Sequence, residues 1–453
     1  MPSGALLHLI AIGEQDLFLT GNPEITYFQT IYRRHTNFSI ETIDEPFVNS
    51  PGFGKTCSCK INQCADLISH ITLNVNLGSL NKDKINIVCK KKLYNKFENK
   101  NYEINCECQE CSGLFIDNYS SFGWINSIGH ALIKSTWIEI NGQKIDTQYG
   151  EWMEIWSELT LPPGKKNGYF KMVGKVESES FQVSTFSDEM QLYVPLQFWF
   201  CKNIGMALPM INLYYSDVYI HVDFRKFDQC WVSNVKGVKP LTTPKINATL
   251  LIEQILLDYK EREHFYSTSQ SYLIEQIQFS GDHSFVTSNG TFDLSLNNPV
   301  KEIIWIIQRT DVTKLADSTY PNSNYPKGND WFNFTNCTIP HYGGYSSDSF
   351  SHATISINGL DRMSEMKSSY YKLYQPYYYH SNIPTNNIYI YSYSLKPESY
   401  QPSGHLNMSR IHDSKLIIKR NHKQTFNSVL KYYAINYNVL IIVEGMGCFM
   451  FYS

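Results

Sequence analysis

Ile138-Glu139-Ile140-Asn141-Gly142 returns half a chain later as Ile355-Ser356-Ile357-Asn358-Gly359. Each copy alternates apolar and polar residues into an Asn-Gly step, the pattern of a half-buried strand entering a tight turn whose central residues need positive φ. At nearly the same offset, the strand-like segment Val218-Tyr219-Ile220-His221-Val222-Asp223-Phe224 is followed by Val439-Leu440-Ile441-Ile442-Val443-Glu444-Gly445. The expectation is two tandem domains of one β architecture. A chain of 453 residues has room for both, since domains usually run about 100 to 200 residues.

Composition narrows the class of partner. Aromatic residues make up 14% of the chain and charged residues only 18%, so large, weakly polar side chains cover much of the surface, as in strands and protein interfaces. A net charge of -3 argues against direct nucleic-acid binding, which relies on clustered Lys and Arg. The longest basic run, Lys90-Lys91-Lys92, reads as a solvated loop. No segment approaches the roughly 18 to 20 apolar residues that span a bilayer. The apolar start, Ala5 to Ile12, carries no preceding Lys or Arg, so synthesis in a reducing cytosol is expected, with cysteines as thiols or metal ligands.

The expected division is an N-terminal arm over 1–29, a first β domain over 30–225, a linker over 226–245 and a second β domain over 246–453. Asn22 and Pro23 read as the cap and first residue of a short helix carrying Ile25, Phe28, Ile31 and Tyr32. Strands are expected in the first domain from Phe38 and at Leu67 to Leu77, His130 to Ile140 and Met190 to Phe200. In the second they are expected at Ala248 to Tyr259, Ser271 to Phe279, Val300 to Gln308, Ala353 to Ile357, Asn387 to Leu395 and Tyr432 to Val443. Trp152, Ile155, Trp156 and Leu159 follow helical spacing, so that helix should pack over one end of a sandwich. Gly237, Pro240 and Pro244 mark the linker. The stretch from Asp311 to Ser351 reads as a long surface loop.

The run Gly13-Glu14-Gln15-Asp16-Leu17-Phe18-Leu19-Thr20-Gly21-Asn22-Pro23-Glu24-Ile25-Thr26-Tyr27-Phe28, continuing through Tyr32-Arg33-Arg34-His35-Thr36-Asn37-Phe38, resembles the N-terminal signature of the major capsid proteins of large nucleocytoplasmic DNA viruses. Pro195-Leu196-Gln197-Phe198-Trp199-Phe200-Cys201-Lys202-Asn203, with Ala207-Leu208-Pro209, looks like the end of that family's first jelly roll. Pro299-Val300-Lys301-Glu302-Ile303-Ile304-Trp305 looks like a strand of its second. Gln375-Pro376-Tyr377, Asn382-Ile383-Pro384, Leu395-Lys396-Pro397-Glu398, Gln401-Pro402-Ser403-Gly404 and Tyr433-Ala434-Ile435-Asn436-Tyr437 follow in the family's order, so the resemblance spans nearly the whole chain. It implies an all-β fold of two tandem eight-stranded jelly-roll sandwiches, a double jelly roll with short helices in its loops. The implied function is a structural capsid subunit. Three chains would form a pseudo-hexagonal capsomer, and capsomers would tile an icosahedral shell in the virion, after assembly in the host cytoplasm. The implied partners are further copies of the chain, minor capsid proteins and the inner viral membrane surface, with no direct nucleic acid. A minor or penton-associated paralogue, or a jelly-roll glycan-binding attachment protein, is the alternative.

Cysteine departs from the family pattern: Cys57, Cys59, Cys64, Cys89, Cys106, Cys108 and Cys111 cluster in one stretch. Cys57 and Cys59 facing Cys106, Cys108 and Cys111 would supply thiolates for a tetrahedral zinc ion. A disulfide formed late or free thiols in an inserted loop would explain them too. Among the Asn-x-Ser/Thr sites, Asn289 and Asn333 fall in expected outer loops and are the glycosylation candidates. Tyr370, Tyr371, Tyr374, Tyr377, Tyr378 and Tyr379 read as own-core or subunit-interface residues. Arg33, Arg34 and His35 suit acidic neighbours or lipid headgroups, or an ordinary surface turn. The aromatics Tyr320, Tyr325, Trp331 and Tyr342 are the ones a lectin would use to stack on sugars. No phosphate-binding glycine loop, His-Glu-x-x-His or Gly-x-Ser-x-Gly occurs, so the expectation is a protein without catalytic residues and without a required cofactor. Asp16, Asp223 and Glu302 are read as partners of backbone or basic groups.

Overall fold

A computed structural model describes residues 3–80, 85–87, 93–95, 100–102, 122–176, 188–233, 238–240, 242–313, 328–336, 348–420 and 427–451. The chain divides into an arm, Met1–Phe38, and a body, Ser39–Ser453. The arm therefore runs beyond the expected residue 29. Within it lie two short helices, α1 (Ser3–Ile10) and α2 (Glu14–Thr20). Asp16 caps α2 by accepting from the Gly13 N–H at 2.9 Å. The helix expected after Pro23 does not form, and Gly21 to Asn37 holds no regular element. Asn22 takes a left-handed φ of 52°, ending the helical path just before Pro23, which itself disfavours a helical residue before it.

Among the described residues, eight strands lay out the first sandwich: β1 (Phe38–Pro46), β2 (Thr56–Lys60), β3 (Leu67–Leu77), β4 (Ile133–Ile140), β5 (Gln143–Tyr149), β6 (Met190–Pro195), β7 (Val218–Phe224) and β8 (Ile246–Leu257), with the short Leu208–Pro209 pairing β3 beside them. They form two sheets, ordered β1-β8-β3-β6 and β2-β7-β4-β5. The second repeats the plan with β9 (Gln270–Phe279), β10 (Asn289–Asp293), β11 (Pro299–Arg309), β12 (His352–Ile357), β13 (Leu360–Asp361), β14 (Ile388–Ser392), β15 (Ser414–Lys419) and β16 (Ser428–Val443). Its sheets run β9-β16-β11-β14 and β10-β15-β12-β13, the same order strand for strand. These are two jelly rolls.

The repeated Asn-Gly steps occupy equivalent hairpins, β4–β5 and β12–β13. Asn141 and Gly142 have φ of 51° and 77°, and Asn358 and Gly359 have 49° and 79°, the paired positive values that a two-residue hairpin turn requires. The other apparent repeat is not an equivalence. β7 lies between β2 and β4, so its counterpart is β15, whereas β16 is the counterpart of β8. Both segments are apolar because each is central in its sheet, and apolarity alone does not say in which sheet.

The domain boundary also lies elsewhere. β8, expected to open the second domain, pairs with β3 from Ile246↔Leu77 to Ile255↔Leu67 and completes the first sandwich. Of the expected linker 226–245, the described segment 226–233 packs into that sandwich's core. Trp231–Ser233 pairs with Phe122–Trp124, Val238–Pro240 pairs with Ile85–Ile87, and Cys230, Trp231 and Val232 are buried. The apolar triplet outweighs the nearby Pro and Gly.

Alternation explains most strands: β7 buries Val218, Ile220, Val222 and Phe224 and turns the residues between them outward. β11 does not alternate, because both its faces are covered. Ile303, Trp305 and Ile307 fill the interior of the second sandwich, while Ile304 and Ile306 face outward into a separate apolar cluster. That cluster is closed by α4 (Gly150–Thr160), a helix of the first half of the chain that contributes Trp152, Ile155, Trp156 and Leu159. The helix expected to cover one end of a sandwich is instead a wedge between two.

Candidate functional site

The buried joint between the sandwiches positions everything the body presents, and it carries most of the unusual chemistry. Around the α4 wedge, Glu151 accepts from Lys431 Nζ at 2.9 and 2.8 Å and from Tyr433 OH at 3.3 Å, all three groups buried. Lys202 reaches Glu275 at 3.1 Å and stands 4.6 Å from the Trp156 ring centre, and Lys301 pairs with the same Glu275. On the other face of α4, Glu154 accepts from His130 Nδ1 at 2.6 Å and pairs with Lys175 at 2.6 Å. Burial raises the Glu154 carboxyl, but Lys175 and His130 outweigh it and bring the pKa to about 2.

His380 sits between two carboxylates, Nδ1 3.0 Å from Glu398 and Nε2 2.9 Å from Glu302. Only the imidazolium has an N–H for each. Burial disfavours that charge, yet Glu302 and Glu398 more than offset it and push the pKa up to about 9. Asp146 bridges the sandwiches by accepting from the Ile277 N–H at 3.1 Å and from its neighbour Thr147 N–H at 2.9 Å. Its burial dominates these bonds and raises it to about 6. A strap from the second half closes the seam: Asn329 Nδ2 donates to the Asp228 and Trp231 carbonyls at 2.7 and 2.8 Å. Trp331 Nε1 donates to the Gln229 carbonyl at 2.9 Å, and Arg225 lies 4.2 Å from the Trp331 ring centre.

The carboxylates singled out in the sequence all have structural partners. Asp16 caps α2, Asp223 takes Lys134 Nζ at 3.0 Å, and Glu302 holds His380. Of the candidate metal ligands, Cys57 and Cys59 alternate on β2 with both thiols facing the core, fully buried. Burial pushes the Cys59 thiol up to about 12 and raises that of Cys57, which favours neutral thiols packed as small apolar groups. Cys106, Cys108 and Cys111 lie outside the described residues, as does Cys89. Cys64 is exposed. Among the described residues, no three His, Cys, Asp or Glu side chains converge as a metal site.

Asn289 opens β10 and is exposed, whereas Asn333 is 3% exposed, its Oδ1 accepting from Thr335 Oγ1 at 2.7 Å. Within the expected loop from Asp311 to Ser351, the described segment 328–336 is a strap with Asn329, Asn333, Phe334 and Thr335 buried, and 314–327 and 337–347 lie outside the described residues. Trp331 is engaged within it, and Tyr320, Tyr325 and Tyr342 lie outside the described residues. Among the tyrosines, Tyr371 is buried in the second core, while Tyr374, Tyr377 and Tyr378 are 50%, 67% and 61% exposed. Arg33, Arg34 and His35 lie in the arm, where His35 Nδ1 is 2.7 Å from the Thr36 carbonyl. The joint's charge pairs escaped the sequence reading. Their only local signal was charge inside apolar runs, as at Leu430-Lys431-Tyr432 and Trp152-Met153-Glu154-Ile155.

Residues 26–259 match the model of the major capsid protein N-terminus, and residues 261–448 match that of the large eukaryotic DNA virus major capsid protein. The chain belongs to this capsid protein family. The two matches meet just after β8, where the sheets also divide the sandwiches. The major capsid protein of Pyramimonas orientalis virus is 34% identical, covering 98% of each chain, and that of Phaeocystis pouchetii virus is 32% identical, covering 98% of this chain and 99% of its own. The PBCV-1 virus capsid model shares 24% identity at a TM-score of 0.72, over 94% of this chain and 100% of that one. The Faustovirus major capsid protein has the same TM-score at 13% identity, over 97% and 96%. The protein is a double jelly-roll major capsid protein of a large DNA virus, a component of the virion shell, and its buried joint makes one body of two jelly rolls.

Proposed function

We propose that three copies of this capsid protein close into a pseudo-hexagonal capsomer, which tiles an icosahedral shell assembled in the host cytoplasm. The observation that carries this reading is the strand-for-strand equivalence of the two sandwiches within one body. Three such chains offer six similar units around a three-fold axis, and a six-cornered block can meet six neighbours with closely similar edges. The role is structural rather than catalytic: the buried titratable groups of the joint are held by one another or, at Asp146, by backbone N–H groups, the arrangement of a scaffold. Minor capsid proteins and the inner membrane surface are the further partners the reading implies.

Light scattering on the purified protein tests it. The expected native mass is about 158 kDa, three times the 52.5 kDa chain. A monodisperse 52.5 kDa species at high concentration would overturn the three-copy reading. The same measurement with a chelator addresses zinc at the cysteine stretch. Neutral, buried thiols at Cys57 and Cys59 favour an unchanged mass and melting temperature, whereas loss of either would restore the zinc reading. Intact-mass spectrometry of protein from infected cells tests glycosylation, for which exposed Asn289 is the better acceptor than buried Asn333.

A further inference from the structure

We propose that Lys372 and Asn387 become covalently joined, Nζ of the lysine displacing the side-chain nitrogen of the asparagine to leave an isopeptide bond. The inference is independent of the three-copy reading, because both residues belong to one body of one chain. Lys372 lies in the crossover between β13 and β14, on a π-helical turn, Tyr370–Tyr374, that leads into the helix Gln375–Tyr379. Widened turns of this kind are rare and concentrate at functional sites. Asn387 immediately precedes β14 and is fully buried.

The two reacting groups are already in contact. Lys372 Nζ donates to Asn387 Oδ1 at 2.5 Å. An ammonium only donates, so the atom it touches is the carbonyl oxygen of the carboxamide. Adding a carbonyl bond of about 1.23 Å places Nζ no more than about 3.7 Å from Cγ, near the roughly 3 to 3.5 Å of reacting atoms poised for attack. The lysines of the joint have partners of another kind: Lys175, Lys301 and Lys431 pair with the carboxylates of Glu154, Glu275 and Glu151. An ionised carboxylate resists a nucleophile, whereas a carboxamide carries a nitrogen that can leave.

The surroundings supply what the step needs. The Lys372 side chain is 13% exposed, and burial outweighs the pull of Asp348 and Glu158 and lowers its pKa, which makes the neutral amine easier to reach. Asp348 Oδ1 stands 3.9 Å from Nζ, and its Oδ2 accepts from Ser368 Oγ at 2.6 Å, which holds the carboxylate beside the lysine. Asp348 takes one proton from the ammonium, and the Nζ lone pair forms the bond to Cγ. The Cγ–Nδ2 bond then breaks, and Nδ2 leaves as ammonium with the two protons that Nζ has given up. Asp348 ends as it began, and no oxidant or second substrate enters. This is one event per chain, a self-modification without turnover. The bond would close 372–387 into a ring. Within that ring the Asn382 N–H donates to the Leu159 carbonyl at 2.9 Å and Asn386 Nδ2 donates to Glu158 at 3.0 Å, both on α4. The ring would therefore clasp the wedge between the jelly rolls.

Denaturing mass spectrometry of the purified full chain tests it. The intact mass should fall about 17 Da below that of the sequence, the ammonia lost in acyl transfer to nitrogen. Trypsin should leave Lys372 uncut, and fragmentation should give no backbone ions from between Lys372 and Asn387. Lys372→Arg should return to its full sequence mass. Asn387→Asp should form the same bond with loss of water, about 18 Da below its own sequence mass, since a protonated carboxyl is also an acyl donor. Asp348→Asn should lower the joined fraction at least tenfold in protein of equal age. A wild-type chain at full sequence mass would overturn the proposal, and that reading needs no variant to fold. So would a loss of about 17 Da with Lys372 still cut by trypsin, the mark of an asparagine that has cyclised on its own backbone and not on lysine.

Discussion

The interiors of the sandwiches and the joint between them are both packed layers but chemically unlike. Each interior is packed from aliphatic and aromatic side chains, such as Leu73, Val75, Ile138 and Ile220 in the first and Ile303, Trp305 and Tyr389 in the second. The joint surrounds its aromatic wedge with ion pairs, buried at Glu151 with Lys431 and at Glu302 with His380 and part-buried at Glu275 with Lys202 and Lys301. Inside a sandwich, backbone pairing already fixes register, so apolar filling suffices. Among the described residues no ladder crosses α4 between the sandwiches, and an apolar contact alone would tolerate sliding. A buried charge tolerates little, since a small displacement leaves it unpaired at large cost. The difference implies that the ion pairs set the angle between the jelly rolls, and with it the placement of any subunit contact.

The wedge offers the largest break in this comparison. Trp152→Ala removes a fully buried indole and should cost about 3 to 5 kcal/mol in urea unfolding. Its unfolding should split into two transitions as the sandwiches uncouple. Leu73→Ala, inside the first sandwich, should cost about 2 to 5 kcal/mol and shift that sandwich without uncoupling the pair. A single transition in both variants would mean that the joint is not a separate layer. Next comes Lys431→Met, which strands Glu151 in the joint and should cost about 3 kcal/mol, whereas Lys431→Met with Glu151→Gln should recover most of that. If the single and double variants were equally destabilised, the pair would be packing material and not a register device.

The contrast also sorts what the sequence disclosed. Hairpins and alternating strands were legible because their determinants are local. Asn141-Gly142 and Asn358-Gly359 dictate their own turns, and β3 and β7 announce their inward faces by period two. What the apolar stripe of α4 packs against was not, because periodicity gives a face and not its partner. The same blindness put β8 in the wrong sandwich and took the Trp231 segment for a linker. It also took the strap at 328–336 for a surface loop. Each is defined by contacts far away in sequence, and a polar residue such as Asn329 looks soluble until its buried acceptor is known. The mixture of core and exposed tyrosines at 370–379 was legible as an alternative, and the structure divides it residue by residue.

A smaller and distinct signature belongs to His380. Its folded pKa, about 9, exceeds the ordinary value of 6.5, so its contribution to stability is complete below pH 6.5 and is lost as pH rises through about 9. Within that window the loss should run at about 1 kcal/mol per pH unit, and His380→Gln should flatten this alkaline limb in a series of urea unfolding curves. Glu154 acts in the opposite window. Its folded pKa is lowered from 4.5 to about 2, so its contribution is present above pH 4.5 and fades as pH falls toward 2. An alkaline limb that persists in His380→Gln would assign the pH dependence to the lysines instead.

The smallest effects test the equivalence of the sandwiches themselves. Asn358→Ala and Asn141→Ala each place a Cβ-bearing residue without a compensating side-chain amide at a positive φ near 50°. Each should cost about 1 kcal/mol. If the two jelly rolls are true repeats, hairpin geometry alone sets the penalty and the two values should agree. Asn358 adds one difference, because its Oδ1 also accepts from the His412 and Asp413 N–H groups at 3.2 and 3.1 Å. Those bonds tie its turn to the chain entering β15. Asn358→Ala should therefore cost more than Asn141→Ala, and Asn358→Asp, which keeps both the acceptor and tolerance of positive φ, should restore most of the excess. Equal costs at the two sites would show that the second hairpin gains nothing from its tie, and that the sandwiches are as alike in energy as they are in strand order.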